Sequence, residues 1–174
     1  MVSIAFFELE PWEREYFSRR LRGHGLVFVD GHLDEKNIVK AKEADALVLF
    51  IYSKVGKKEL DALPGLKVIA TMSTGFDHID VKACSERKIA VCNVPAYGAE
   101  TVAEHTMALI LALAKKILPS VERTRRGDFT LDGLRTLDLE KKTLGIVGLG
   151  KIGVHVARMA RAFGMKVIAY SPHA

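Results

Sequence analysis

Cysteine is scarce in this chain: there are two in 174 residues, Cys84 and Cys92. They form no C-x-x-C pair and no metal-ligand spacing, which excludes a disulfide scaffold and a zinc module. Both lie in or beside apolar segments, which predicts buried, reduced thiols and a cytoplasmic location. Long hydrophobic runs are also missing. The longest apolar helix-like stretch, Thr106 to Ala114, falls well short of the roughly 20 residues a bilayer requires, so no membrane partner is expected. Met1 to Phe7 has no basic start and runs straight into Glu8 and Glu10, unlike a secretory leader. Charge is not clustered either. The net charge is +5, but the basic residues are scattered apart from Arg123, Arg125 and Arg126. Without a basic face interleaved with aromatics, nucleic acid is not an expected partner.

What is present is an ordinary globular balance of 49% hydrophobic and 27% charged residues. That length suits one large domain or one and a half. Short apolar runs predict strands at Val2–Phe7, Leu26–Val29, Ala46–Tyr52, Leu66–Met72 and Ile89–Asn93. Between them, helices are predicted at Pro11–Leu21, Glu35–Glu43, Lys58–Leu63 and Val81–Arg87, the last capped by Asp80. This alternation implies an α/β fold, a doubly wound parallel sheet of flavodoxin-like type. The pattern then changes near Pro95. Glu100 to Ile117 reads as one long helix, with Pro119 marking its end or a kink, and Val121 to Lys142 reads as polar loop. Thr143–Val147, Lys151–Phe163 and Lys166–Tyr170 read as strand, helix and strand. The expected division is therefore a first domain at 1–97 and the opening of a second at 98–174.

Gly148-Leu149-Gly150-Lys151-Ile152-Gly153 matches G-x-G-x-x-G. Alone the motif is weak, but here a strand precedes it and an amphipathic helix and a second strand follow, the setting of a dinucleotide-binding Rossmann unit. Gly148 permits the turn out of the strand, Gly150 leaves room for a pyrophosphate, and Gly153 lets helix and strand approach closely. Amides at the helix start, from Lys151 and Ile152 onward, then face the phosphates. The acidic residue expected some 20 residues further on, to hold the adenosine ribose, is replaced by Ser171. Serine can bond a ribose without repelling a 2′-phosphate, and no arginine follows. NAD is the expected cofactor, with NADP not excluded.

Three blocks together resemble the D-isomer-specific 2-hydroxyacid dehydrogenase family, most closely its D-lactate dehydrogenase-like members. They are Ser73-Thr74-Gly75-Phe76-Asp77-His78-Ile79-Asp80; Asn93-Val94-Pro95-Ala96-Tyr97-Gly98 leading into Thr101-Val102-Ala103-Glu104-His105-Thr106; and the glycine loop introduced by Lys142-Thr143-Leu144-Gly145. The resemblance covers essentially the whole chain. It implies hydride transfer between NAD(H) and a small D-2-hydroxy acid or its 2-oxo acid. It also implies a substrate-side first domain, and a homodimer formed through the cofactor domain of the full-length protein. It assigns the substrate carboxylate to the loop amides of Thr74 and Gly75, and places Thr106 near the nicotinamide. The family's catalytic arginine, glutamate and histidine come after the second strand of the cofactor domain, and none of the six histidines here matches. No catalytic residue is expected in these 174 residues, which read as part of a longer enzyme, inactive alone.

Other readings stand beside this one. Phe50, Tyr52 and Tyr97 could line a substrate pocket or simply pack. The chain could belong to a module that senses a dinucleotide without turnover. A receiver-like module is disfavoured because the strand at Ala46–Tyr52 ends without an aspartate, and a methyltransferase because Ser171 stands where an acid is usual.

Overall fold

The computed structural model describes residues 1–172 and divides into two compact units, Met1–Pro95 and Ala96–Ala174.

The first unit is an α/β sheet sandwich. Its strands are β1 (Ser3–Phe6), β2 (Gly25–Phe28), β3 (Ala46–Leu49), β4 (Val68–Thr71) and β5 (Ala90–Cys92), all parallel in the order β2-β1-β3-β4-β5. This is the flavodoxin-like order, with its reversal between β1 and β3. The register brings the strands level (Ile4 with Ala46, Ala46 with Val68, Val68 with Ala90), so their C-terminal ends share one edge. Leu47, Leu49 and Ile69 are fully buried with Ala5 and Phe7 in one continuous core. On the other face Phe6 stacks on Phe17 of α1 (Pro11–Arg20), with ring centroids 4.9 Å apart, and on Phe28 at 5.1 Å. The remaining helices are α2 (Lys57–Ala62) and α3 (Val81–Glu86), the latter opened by Asp80, whose carboxylate accepts from the Ala83 amide at 2.9 Å.

Two expectations fail in this unit for local reasons. The helix expected at Glu35–Glu43 shrinks to a 3-10 turn at Ile38–Ala41. Asp34 accepts from the amides of Lys36 and Asn37, while Asn37 accepts from the Asp34 amide and donates to the His32 carbonyl. These side chains offer the backbone an alternative to a helix start. Cys92, expected buried, is exposed, whereas Cys84 is fully buried. Cys92 lies on β5, the last strand of this sheet among the described residues.

The second unit contains α4 (Ala99–Ala114), α5 (Ile117–Arg125), β6 (Thr143–Val147), α6 (Lys151–Ala162) and β7 (Lys166–Tyr170). Strands β6 and β7 pair in parallel, and α4 packs against α6. Ala103, Met107, Leu139, Val156, Ala160 and Met165 form the core. The expected single long helix is two, and part of the expected loop is α5. The break is at Lys115–Lys116, where Lys116 adopts φ 50°. The last turn of α4 is satisfied from outside, by the Leu137 amide on the Ala114 carbonyl (3.1 Å). Lys115 bonds Asp138 and Lys116 bonds the Gly133 carbonyl. Pro119 does not make the break; it sits in the first turn of α5, where its missing N–H costs nothing.

Candidate phosphate loop and carboxylate loop

Strand β6 leads into the glycine loop, and α6 leaves it. The Gly148 amide donates to the Tyr170 carbonyl at 2.8 Å, tying the loop to the end of β7. Val147 pairs with Tyr170, so Ser171 comes level with the loop, one residue past the strand. Gly148 has φ 96°, a conformation that side-chain-bearing residues rarely adopt. At Gly150, which caps α6, an added Cβ would meet no protein atom within 4 Å. Gly153 is the reverse: its Cβ would lie 2.3 Å from the Gly148 carbonyl oxygen. The three glycines therefore do different things. Gly148 makes the turn, Gly153 makes the close approach, and Gly150 keeps the outer side of the loop open.

An α-helix cannot pair its own first amides, and the α6 cap is a glycine with no side chain to bond them. A helix start of this kind, with the positive end of its dipole, is suited to an anion. The opening Gly150 leaves is the space a diphosphate would fill, so the residues present fit a dinucleotide. Thr106 does not reach toward this loop with its hydroxyl, which donates to the Val102 carbonyl one turn back on α4 (2.8 Å). His105, Glu104 and Thr106 show no further contact that would make an acid–base pair among the described residues.

The second predicted site follows β4. Here three successive carbonyls are anchored: Ser73 O accepts from the Val94 amide (3.0 Å), Thr74 O from Asn93 Nδ2 (2.7 Å), and Gly75 O from Ser73 Oγ (2.7 Å). The Thr74 hydroxyl is fixed on the Val94 carbonyl (2.9 Å). In a trans peptide the C=O and N–H point in opposite directions. Pinning these carbonyls therefore aims the amides of Thr74, Gly75 and Phe76 away from their anchors. None of the loop's hydrogen bonds draws on those three amides. Thr74, Gly75 and Phe76 are all exposed. Consecutive outward amides at the C-terminal end of a parallel strand are a candidate anion nest.

Sequence reasoning missed Glu8. It follows β1 at φ 62°, and its carboxylate accepts from the amides of Tyr52 and Ser53 (both 2.9 Å), more weakly from Phe50 (3.4 Å), and from the Ser53 hydroxyl. Ser53, fully buried, also accepts from the Leu33 amide (2.9 Å). Glu8 thus fills the crevice between β1 and β3, where this strand order usually binds a ligand. The candidate nest after β4 is the outward-facing alternative. The same bonds end β3 at Leu49 and shape the 50–53 turn, leaving Tyr52 exposed. Tyr97 is also exposed, so neither tyrosine is a packing residue within its unit.

These features define an α/β protein with a dinucleotide-type glycine loop. The sequence model of the "D-isomer specific 2-hydroxyacid dehydrogenase, catalytic domain" matches residues 4–171, and the chain belongs to that family. It is 34% identical to a 2-hydroxyacid dehydrogenase homolog of Haemophilus influenzae, over 98% of this chain and 53% of that protein. It is 32% identical to the D-lactate dehydrogenase of Escherichia coli, over 99% and 54%. A crystal structure of D-lactate dehydrogenase from Aquifex aeolicus, complexed with NAD and lactic acid, superposes with a TM-score of 0.91. Identity there is 34%, over 97% of this chain and 51% of that one. The chain thus spans about half the length of the curated relatives it matches. The family identifies it as an oxidoreductase fold of the D-2-hydroxyacid dehydrogenase type. Among the described residues no helix is long and apolar enough to cross a membrane, and no group of His, Cys, Asp and Glu could hold a metal.

Proposed function

We propose that this chain supplies the substrate-carboxylate nest and the diphosphate loop of an NAD(H)-dependent D-2-hydroxyacid dehydrogenase that interconverts a small D-2-hydroxy acid and its 2-oxo acid. The observation that carries the reading is the glycine loop. A turn at φ 96° and a Gly153 that tolerates no Cβ set the helix close on the strand, and the open cap at Gly150 leaves the room a diphosphate needs.

The roles assigned in this reading combine the loop geometry with the family resemblance. The amides at the start of α6, beginning with Lys151 and Ile152, take the diphosphate, with Gly148, Gly150 and Gly153 shaping the approach. Ser171 takes a ribose hydroxyl; its neutral side chain favours no phosphate there, and NAD(H) is preferred over NADP(H). Thr106 is assigned to the nicotinamide side by the resemblance; its hydroxyl donates to the Val102 carbonyl and retains acceptor lone pairs. Thr74 and Gly75 hold the substrate carboxylate by their amides. When bound, the nicotinamide supplies the hydride. The residues assigned here bind and orient, and none serves as the acid. A soluble homodimer in the cytoplasm, acting on a small 2-oxo acid, is the setting this reading implies.

The test is to mix the full-length protein with pyruvate, and with larger 2-oxo acids, in the presence of NADH or NADPH, and to follow nicotinamide absorbance. Oxidation of NADH that depends on the oxo acid supports the proposal. Tight NADH binding without turnover on any oxo acid indicates a sensing module instead.

A further inference from the structure

Behind the carboxylate loop runs a chain of side-chain hydrogen bonds whose proton order can be worked out. Ser73 Oγ lies 2.7 Å from the Gly75 carbonyl, which can only accept, so the single Ser73 hydroxyl proton is committed there. Thr71 Oγ1 lies 2.6 Å from Ser73 Oγ. With the Ser73 proton already spent, Thr71 must donate to Ser73. Thr71 Oγ1 is also 3.2 Å from Nε2 of His78. With the Thr71 proton spent in turn, Nε2 of His78 must donate. Every proton in the chain therefore points one way, from His78 through Thr71 and Ser73 to Gly75. Thr71 and Ser73 are almost completely buried, 2% and 4% exposed. Water cannot substitute easily for a missing link, and a broken link leaves a buried hydroxyl with one of its two hydrogen bonds, free to turn from its place in the chain.

We infer that His78 is a positioning residue for the carboxylate-binding loop: donating from Nε2 through Thr71 and Ser73, it holds the Gly75 carbonyl inward and so aims the Phe76 amide outward beside those of Thr74 and Gly75. The inference rests on the carboxylate role proposed above for this loop. It adds a third donor, the Phe76 amide, and it gives the histidine of the Ser73–Asp80 block a task that involves no contact with substrate. The backbone of His78 is itself fixed, because its carbonyl accepts from the Val55 amide at 2.9 Å. The ring is therefore presented from a rigid support, not from a free loop. A neutral His78 with its proton on Nδ1 could not hold the chain together, so the structure requires the Nε2–H form.

Two measurements on the full-length protein test this. The first is nitrogen NMR of histidine-labelled wild type, which reads which ring nitrogen of His78 is protonated. A proton on Nε2 is expected, and a proton on Nδ1 alone overturns the inference. The second is steady-state kinetics. His78→Leu is expected to raise KM for the 2-oxo acid about tenfold, the weight of one misdirected hydrogen bond, with KM for NADH unchanged and kcat within about twofold of wild type. His78→Gln, which keeps an N–H near the Nε2 position, restores most of the affinity. Thr71→Val with His78→Leu is no worse than either alone, since both cut the same chain. An unchanged KM in His78→Leu, or a His78→Gln variant as impaired as His78→Leu, overturns the inference. If the wild type reduces no 2-oxo acid, the functional reading fails, while the tautomer measurement still decides whether the His78 chain exists.

Discussion

A side chain at Gly153 would meet the carbonyl oxygen of Gly148 at 2.3 Å, a distance no real contact tolerates. The oxygen belongs to the backbone of the turn, so no rotamer change can relieve the overlap. Gly153→Ala must push α6 off β6. The intrinsic helix preference for alanine is worth about 1 kcal/mol, against overpacking costs of about 1–3 kcal/mol and the loss of the loop's shape. We expect a net lower melting temperature together with weaker dinucleotide binding, measured by thermal unfolding and by NADH titration of the same sample.

Glu8 couples two strand ends some 45 residues apart in the chain. Removing its carboxylate leaves the amides of Tyr52 and Ser53 and the buried Ser53 hydroxyl without their acceptor, at roughly 1–3 kcal/mol for a buried unsatisfied group. Glu8→Ala is expected to lower the urea midpoint by an amount in that range, and Glu8→Gln, which keeps one acceptor oxygen, by clearly less. Equal effects from the two variants would show that the hydrogen bonds to the 50–53 turn do not matter.

At the opposite edge of the sheet, Asp45 accepts from Lys67 Nζ (2.7 Å) and from the Ser3 amide (2.9 Å), joining the starts of β1, β3 and β4. The Lys67 bond first, and the Ser3 amide second, hold its carboxyl below the usual carboxylate range. The folded-state value is depressed, so the stabilisation is fully present above the unfolded value of about 3.9. It is lost as pH falls through the folded value. Asp45→Asn should lower stability at neutral pH and flatten the loss of stability on acidification, as read from chemical unfolding across a pH series.

The two thiols should separate cleanly. Burial pushes the Cys84 thiol up, with Asp80 adding to the effect and Arg87 opposing it. Cys92 is exposed on the edge strand. A thiol reagent applied to native protein is expected to modify Cys92 promptly and Cys84 only on unfolding, with mass spectrometry of the peptides identifying each site.

Much of this was legible in the sequence because the signals were local. The strand-loop-helix-strand around Gly148–Gly153 carries its own turn residues and periodicity, and Asp80 announces the helix it caps. What failed was set by partners distant in sequence or by position in the sheet. Nothing near Glu8 reveals that its carboxylate will meet Tyr52 and Ser53. Nothing near Cys92 says that its strand lies at an edge. The continuous apolar pattern from Glu100 to Ile117 hides a break that Leu137, Asp138 and Gly133 complete from beyond the helix. Asp34 and Asn37 did carry a local sign: short polar side chains that bond nearby backbone favour turns over helix interiors.

The central claim is that the open side of the glycine loop is a diphosphate site. Gly150→Asp tests it most directly, because protein stability and ligand binding should move in opposite senses. Gly150 has ordinary extended backbone angles and open space around its missing Cβ, and aspartate is a better helix cap than glycine by a few tenths of a kcal/mol. The full-length variant should therefore melt at or slightly above the wild-type temperature, while its carboxylate fills and repels the diphosphate position. Titration with NADH is predicted to show binding to the wild type and at least about a hundredfold weaker binding to Gly150→Asp. A wild type that binds neither NADH nor NADPH, or a Gly150→Asp variant that binds as tightly as wild type, would contradict the account.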